Sequence, residues 1–474
     1  MNERVIQLVS LMASNAECYL GASFPPLGIL YVGSAILQGA PDWTVEILDG
    51  QVLPEAEISH RLKSGLVGFH ITHANYLSSL RLARTAKQRG AVVVLGGPHA
   101  TSSSEAILRR HRFVDHVVIG DGIESMPRLL AGAPAEGLPN VVTRSAYGDV
   151  ICGNRRLGNA LIPTEYGMDC FPQPRFDLVA LEVYWRAFSE RFGQMGHRGM
   201  PFLSHKGCAQ TNGRRCIFCS IPERKNSRLA PARLWAMVGR MVAMYGADFL
   251  WDIGDDFTGD ATWLCDVARE MPRDCKHVAW FVYTRPDGLA RPGVLSLLRQ
   301  MNVRMIYVGF ETGSEVIAGR DAKGRWVRER RELLCRLADA GLHVCASFVL
   351  GMKGETQATL EETVIFCTEL RNALKEKLVA VNANPLIPYP GSAAYNVLMD
   401  LFPEYRNIDW VQQYELVNRW LGIACSLPWR PAGKVERVLE YCRRMRVMGA
   451  IQNVVFDPRK TLPKELDQHG ARGQ

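Results

Sequence analysis

Gly207-Cys208-Ala209-Gln210-Thr211-Asn212-Gly213-Arg214-Arg215-Cys216-Ile217-Phe218-Cys219 follows directly on an apolar, strand-like run at 202–205. Three thiols share one loop, with seven residues between the first two and two between the last. A structural zinc site takes four protein ligands, often as two close pairs, and no second pair stands nearby. Three thiolates suit an iron–sulfur cluster instead, and three ligands on a four-iron cluster leave one iron open to an exogenous molecule. An open iron implies chemistry.

Outward from this loop the chain alternates short β-rich runs with helical stretches. Toward the C-terminus, strands are expected at 248–253, 278–283, 304–309, 343–349 and 378–383, separated by helical segments such as 231–245 and 360–374. With the run at 202–205 this makes six βα units, the pattern of a partial barrel. Toward the N-terminus, strands at 5–11, 44–48, 66–69, 92–95 and 117–119 predict a doubly wound, Rossmann-like parallel sheet. Three of them run into Gly or His loops: His70 to His73, Gly96-Gly97-Pro98-His99 and Gly120-Asp121-Gly122. Ligands of such sheets sit beyond the carboxyl ends of the strands, so these loops form a candidate binding face. Prolines at 134, 139, 163, 172, 174 and 201 break up the stretch between the two patterns, which reads as a linker. The expected class is α/β, with units at 1–135, 136–198 (linker), 199–395 and 396–474, the last a small helical region.

Composition agrees with a folded chain. Of 474 residues, 47% are hydrophobic and 22% charged, which excludes collagen, coiled coil and disorder. Lys plus Arg number 56 against 48 for Asp plus Glu, a surplus of 8 with no basic arm, so no nucleic-acid partner is argued for. No apolar stretch reaches a membrane span and Met1-Asn2-Glu3-Arg4 lacks signal-peptide character, which points to the cytoplasm and to no membrane partner. Ten further cysteines, among them Cys335, Cys345 and Cys442, are isolated and expected as small buried hydrophobes.

The three-cysteine loop after the first strand of a six-unit βα array, with Phe218 just before the last thiol, resembles the radical S-adenosylmethionine superfamily. The seven-residue first spacing and the doubly wound domain ahead of it are similar to its cobalamin-dependent members, in particular the branch of methyltransferases that modify natural products and ribosomal peptides. Further motifs agree along the chain: Trp251 to Phe257 at the second strand end, Tyr283 to Asp287 at the third, Val308 to Ser314 at the fourth. Gly351 to Thr356 and Pro388 to Ser392 resemble the loops after the fifth and sixth. The resemblance implies a [4Fe-4S] cluster on Cys208, Cys216 and Cys219. It implies S-adenosylmethionine near Phe218, Asp255, Asp256, Arg285, Glu311 and Ser347. Thr72, His73, Gly96, Gly97, His99, Gly120, Gly122 and Glu124 would surround cobalamin. The physical need is an acceptor for the ammonium of S-adenosylmethionine, a donor for its carboxylate and an apolar wall for its adenine, which Asp255 or Asp256, Arg285 and Phe218 supply.

The implied reaction is methylation of an unactivated carbon through a 5′-deoxyadenosyl radical and methylcobalamin, on a small-molecule or peptide substrate, with electrons from a flavodoxin or ferredoxin. The Asp-x-His-x-x-Gly loop of other cobalamin enzymes is absent, so His70, His73 and His99 are not expected on cobalt. Ring contraction or cyclisation is the rival within the family; a zinc-binding module is the rival outside it. The substrate cleft is expected between the two αβ units, capped by residues 395–474, with Trp410, Trp420 or Trp429 as apolar walls.

Overall fold

The computed structural model describes residues 4–12, 22–154, 156–157, 160–208, 215–222, 225–320, 327 and 329–450. Seven strands form the first sheet: β1 (Arg4–Ser10), β2 (Trp43–Asp49), β3 (Leu66–His70), β4 (Val92–Gly96), β5 (His116–Val118), β6 (Val141–Arg144) and β7 (Val150–Cys152). Their order is β2-β1-β3-β4-β5-β6-β7. The first five are parallel; β6 and β7 join antiparallel at one edge. Helices cover both faces, which is why β1, β3 and β4 read as near-continuous apolar runs. Val9, Phe69, Val93 and Leu95 form the core on one face, Ile6, Leu8, Val94 and Val118 on the other.

The linker reading of 136–198 needs correcting. Besides β6 and β7 the stretch contains the short pair β8 (Arg156–Leu157) and β9 (Ala160–Leu161) and the helix Leu181–Phe192. Phe188 of that helix is fully buried against Phe24 and Phe249. Its cluster, with Ala279, Phe281, Met305 and Cys345, fills the barrel at the end from which the strands start.

The second sheet is six-stranded and parallel, in the order β10 (Gly199–Phe202), β13 (Phe249–Asp252), β14 (Ala279–Thr284), β15 (Val303–Glu311), β16 (His343–Leu350) and β17 (Leu378–Pro385). A separate two-stranded antiparallel ribbon, β11 (His205–Lys206) and β12 (Ser227–Arg228), follows β10 in the chain. Strand β10 starts three residues before the expected run because Pro201 belongs to it. An edge strand tolerates a proline, and among the described residues β10 pairs only with β13.

The C-terminal helices are part of the barrel's core, not a detachable cap. The helix Pro431–Arg446 lies along β17, and Trp420, Leu421, Leu439, Cys442 and Met445 belong to the same apolar cluster as Ile306 and Phe348. Residues 451–474 lie outside the described residues. Among the described residues, no helix is long and apolar enough to cross a membrane.

Candidate functional site

The carboxyl ends of the second sheet gather most of the expected residues. Cys208 follows β11, with Cys216 and Cys219 in a tight turn in which Cys219 N–H donates to Cys216 O at 3.0 Å. Residues 209–214 between them lie outside the described residues. All three thiols are half-buried, whereas Cys275, Cys345, Cys367, Cys425 and Cys442 are buried. Cys170, Cys265 and Cys335 are exposed, contrary to the expectation of buried hydrophobes. Burial pushes the Cys219 thiol up, reinforced by Asp255 and Cys208 and opposed by the Ile221 amide and Arg215. Among the described residues no three His, Cys, Asp or Glu side chains are gathered so as to hold a metal ion. A four-iron cluster seats each cysteine on a separate iron and does not require that gathering, so the donor set fits a cluster better than one zinc.

Asp255 and Asp256 hold the loop to the sheet. Asp255 Oδ2 accepts from Gly207 N–H at 2.7 Å, and Asp256 Oδ2 lies 3.8 Å from Cys208 Sγ. Arg285 Nη1 approaches the same sulfur at 4.0 Å while Nη2 donates to Asp287 at 2.8 Å. Burial works against the Arg285 charge, but Cys208, Asp256, Asp287 and Cys216 outweigh it and hold its pKa up. A fixed cation beside thiols favours thiolate, the ligand form.

Sequence reading missed the buried chain behind this loop. Asp256 N–H donates to His205 Nε2 at 2.8 Å, so the proton sits on His205 Nδ1, which faces Ser204 Oγ at 2.7 Å. Ser204 in turn donates to Asp252. Burial, helped by the Arg228 charge, drives the His205 pKa far down, so the ring is neutral. Burial also raises the Asp252 carboxyl to about 6, against bonds from Ser204 and Gly254. A Cβ on Gly254 would lie 2.2 Å from the His205 ring, so only glycine fits there.

Cys216, Phe218, Glu311 and Thr312 line one narrow cleft with Phe310 and Met352. Glu311 is 9% exposed and has φ +65°, a left-handed backbone at a register shift between β15 and β16. Such strain in a non-glycine residue persists only where the surroundings enforce it, and it concentrates at functional sites. Ser347 stands in register with Gly309 and Asn382.

A second space, of about 290 Å³, opens at the carboxyl ends of the first sheet. His70, Gly96, Gly97, Gly120 and Gly122 line it, and so do Phe171, Leu203 and Ile253 from the other half of the chain. A Cβ added to Gly28 would meet nothing within 4 Å, and one on Gly96 would meet only Val118 O, at 3.6 Å. The lining is mostly apolar, which fits the apolar part of a large cofactor entering edge-on. Burial lowers the His70 pKa, keeping that ring neutral.

The other expected N-terminal residues do not line this space. Thr72 caps a turn with Asn75, Thr72 N–H donating to Asn75 Oδ1 at 2.7 Å. His99 Nε2 contacts Asp409 O at 2.8 Å. His73 packs between Tyr389, His99 and Trp410. Glu124 pairs with Arg128 on the surface. Nor do the three tryptophans line it. Trp420 Nε1 donates to Gly351 O in the core, Trp410 Nε1 to His73 O, and Trp429 carries the Arg437 guanidinium.

Comparison with known proteins agrees with this geometry. The B12 binding domain family matches residues 19–130 and the Radical SAM superfamily residues 206–367. An uncharacterized methyltransferase of Pyrococcus horikoshii is 24% identical over 89% of this chain and 92% of its own. The anaerobic magnesium-protoporphyrin IX monomethyl ester cyclase of Cereibacter sphaeroides is 24% identical over 73% of this chain and 56% of its own. The cobalamin-dependent S-adenosylmethionine radical enzyme OxsB shares the fold at a TM-score of 0.60 and 13% identity, over 90% of this chain and 58% of that one. The radical S-adenosylmethionine methyltransferase TsrM of Kitasatospora setae does so at 0.59 and 17%, over 84% and 75%. The chain therefore belongs to the radical SAM superfamily and, by its B12 binding domain, is one of its cobalamin-dependent enzymes.

Proposed function

We propose that this enzyme methylates a carbon atom of a small-molecule or peptide substrate. When bound, the cluster supplies an electron to the sulfonium of S-adenosylmethionine, and cobalamin carries a transferable methyl group. Cys208, Cys216 and Cys219 would hold the cluster, with Arg285 favouring the thiolate form at Cys208. Asp255, Asp256, Phe218, Glu311 and Ser347 would frame S-adenosylmethionine, and Gly96, Gly97, Gly120 and Gly122 would let the backbone approach the corrin. Phe171, Leu203 and Ile253 would exclude water from the face between the two sheets. An electron donor of the flavodoxin or ferredoxin type and a cytoplasmic setting belong to the same proposal.

The observation that carries it is the adjacency of the cysteine loop to the cavity of the first sheet. Lys206, two residues before Cys208, pairs with Asp121 of the Gly120–Gly122 loop, so cluster loop and cavity rim are adjacent. Two reactive groups must reach one carbon, and adjacency of this kind is what their positioning requires. Methylation ranks first because the methyltransferase relative spans nearly the whole of both chains. The relative named a cyclase supports cyclisation as the second reading. Anaerobic reconstitution with methyl-labelled S-adenosylmethionine and a panel of substrates decides: a product heavier by one labelled methyl supports methylation, and an unlabelled product of altered ring count supports the rival.

A further inference from the structure

The second sheet carries two apolar clusters, because alternate residues of a strand face opposite ways. Leu250, Trp280, Ile306, Val344 and Val381 pack outward with the helices. Phe249, Phe281, Met305, Cys345 and Ala380 face inward and are buried with Phe188. Two residues further along each strand the inward positions are Trp251, Tyr283, Tyr307, Ser347 and Asn382, and all five are only half-buried. The concave face is thus filled at its floor and accessible above it. Tyr283 and Tyr307 stand in register with ring centroids 4.9 Å apart, and Trp251 lies 6.3 Å from Tyr283. Beyond this aromatic arc Ser347 and Asn382 are in register, and Asn382 Nδ2 donates to the Tyr307 hydroxyl at 3.5 Å. Asn384, next on the same side of β17, accepts from Arg446 through Oδ1, which turns its amide N–H groups away from the guanidinium. Arg446 is also held by Ala383 O, at 2.9 Å. Trp251 Nε1 is buried without an acceptor among the described residues.

We propose that this concave face holds an uncharged aromatic ring of the substrate, stacked on the arc of Trp251, Tyr283 and Tyr307, with a carbonyl or ring nitrogen on its edge accepting from Asn384. The inference rests on the substrate reading above and names its class. Aromatic rings favour a flat partner, face to face with an offset or edge to face, over a puckered one. None of the inward side chains of the floor or the arc carries a charge, so an ionised group would give up water there without a counter-charge. Ile253, two residues beyond Trp251, lines the cavity of the first sheet. Ser347 belongs both to this row and to the frame of S-adenosylmethionine, so the ring lies within reach of both cofactors.

Saturation-transfer difference NMR of the enzyme reconstituted with cluster and cobalamin tests this with three probes. Quinolin-2-one is flat with an edge carbonyl, its octahydro analogue is puckered with the same carbonyl, and 2-naphthoate is flat and charged. Quinolin-2-one should bind at least about tenfold more tightly than either of the others. Tyr283→Leu should lower its affinity by about tenfold. Asn384→Asp keeps an acceptor toward Arg446, removes the N–H donors and should lower it by a similar factor with iron content unchanged. Equal binding of the octahydro analogue overturns the aromatic wall, and equal binding of 2-naphthoate overturns the uncharged class. Quinolin-2-one affinity untouched in both variants overturns the placement. If no probe binds while a labelled methyl product forms in the substrate panel, the ring class falls and the methylation reading stands; selective binding without any methylated product gives the reverse.

Discussion

Lys206 and Asp121 form an ion pair that ties the strand leading into the cysteine loop to the glycine loop of the first sheet. Their side chains are 14% and 15% exposed, and Lys206 also lies over the Phe171 ring. Lys206→Met removes the ammonium from a mostly buried carboxylate and should cost ~1 to 3 kcal/mol. Hydrogen exchange should accelerate together at 120–122 and at 203–208. Acceleration in one segment alone would show that the pair does not couple the two halves.

The three loop thiols and the buried thiols should separate cleanly. Cys208→Ala, Cys216→Ala and Cys219→Ala should each abolish iron–sulfur absorbance and cleavage of S-adenosylmethionine after reconstitution. Cys442→Ala, a core change within the helix packed on β17, should keep full iron content and lower stability by ~1 kcal/mol. Full iron retention in the Cys216 variant would sink the assignment.

Gly254→Ala tests the buried chain behind Asp255 and Asp256. The added Cβ would drive into the His205 ring, which must move and release the Asp256 amide. A misplacement of about an ångström can cost on the order of a hundredfold, so S-adenosylmethionine affinity should fall at least about tenfold. Iron content should change little. Calorimetric titration of the reconstituted protein gives the affinity.

How much of this was legible from the sequence depends on where the information sits. Strands β13 to β17 declare themselves by apolar runs followed by Gly or charged loops, and so do β1 to β5. The cysteine spacing is local, and local signals survive in sequence. Phe188, Ser204, His205 and Asp409 gave none, because each acts through a partner 48 to 333 residues away: Ser204 on Asp252, Asp409 on Tyr76. The antiparallel edge of β6 and β7 hid among prolines. Thr72, His73, His99 and Glu124 were expected around the corrin from the family resemblance, which carries over the position of a loop but not which of its side chains faces the cavity.

Glu355 should impose a pH dependence on stability. It is fully buried beyond the end of β16, and burial raises its pKa to about 7 even though Gly351 and Met352 amides donate to it. The folded chain therefore holds this proton more tightly than the unfolded one. Stability should rise as pH falls from about 7 toward the ordinary glutamate value, by at most ~3 kcal/mol. Glu355→Gln should flatten the urea midpoint across that window. A midpoint with the same slope in both proteins would assign the dependence to another group.

Asp409 decides what the C-terminal segment does. Its carboxylate is 6% exposed and accepts from the Tyr76 hydroxyl at 2.6 Å and from His111 Nε2 at 2.7 Å, with Arg110 at 3.4 Å, all on the first half of the chain. Burial pushes its pKa up, but the His111 and Tyr76 bonds and the His111 charge outweigh this and hold it below the usual carboxylate range. Trp410 beside it stacks on His73, so the segment is pinned against the loops after β3 and β4. Asp409→Ala leaves Tyr76 and His111 without this partner and should cost ~2 to 4 kcal/mol locally, freeing 408–411 to exchange. The barrel core, held by Trp420 and the helix Pro431–Arg446, should stay intact, which makes this a cleaner probe than truncating the region. If the segment shields the space between the two sheets, Asp409→Ala should keep the full iron complement while cleaving S-adenosylmethionine without matching product. If product and cleavage stay in step in the variant, the segment only fastens the halves together, and substrate selection lies with Phe171, Leu203 and Ile253.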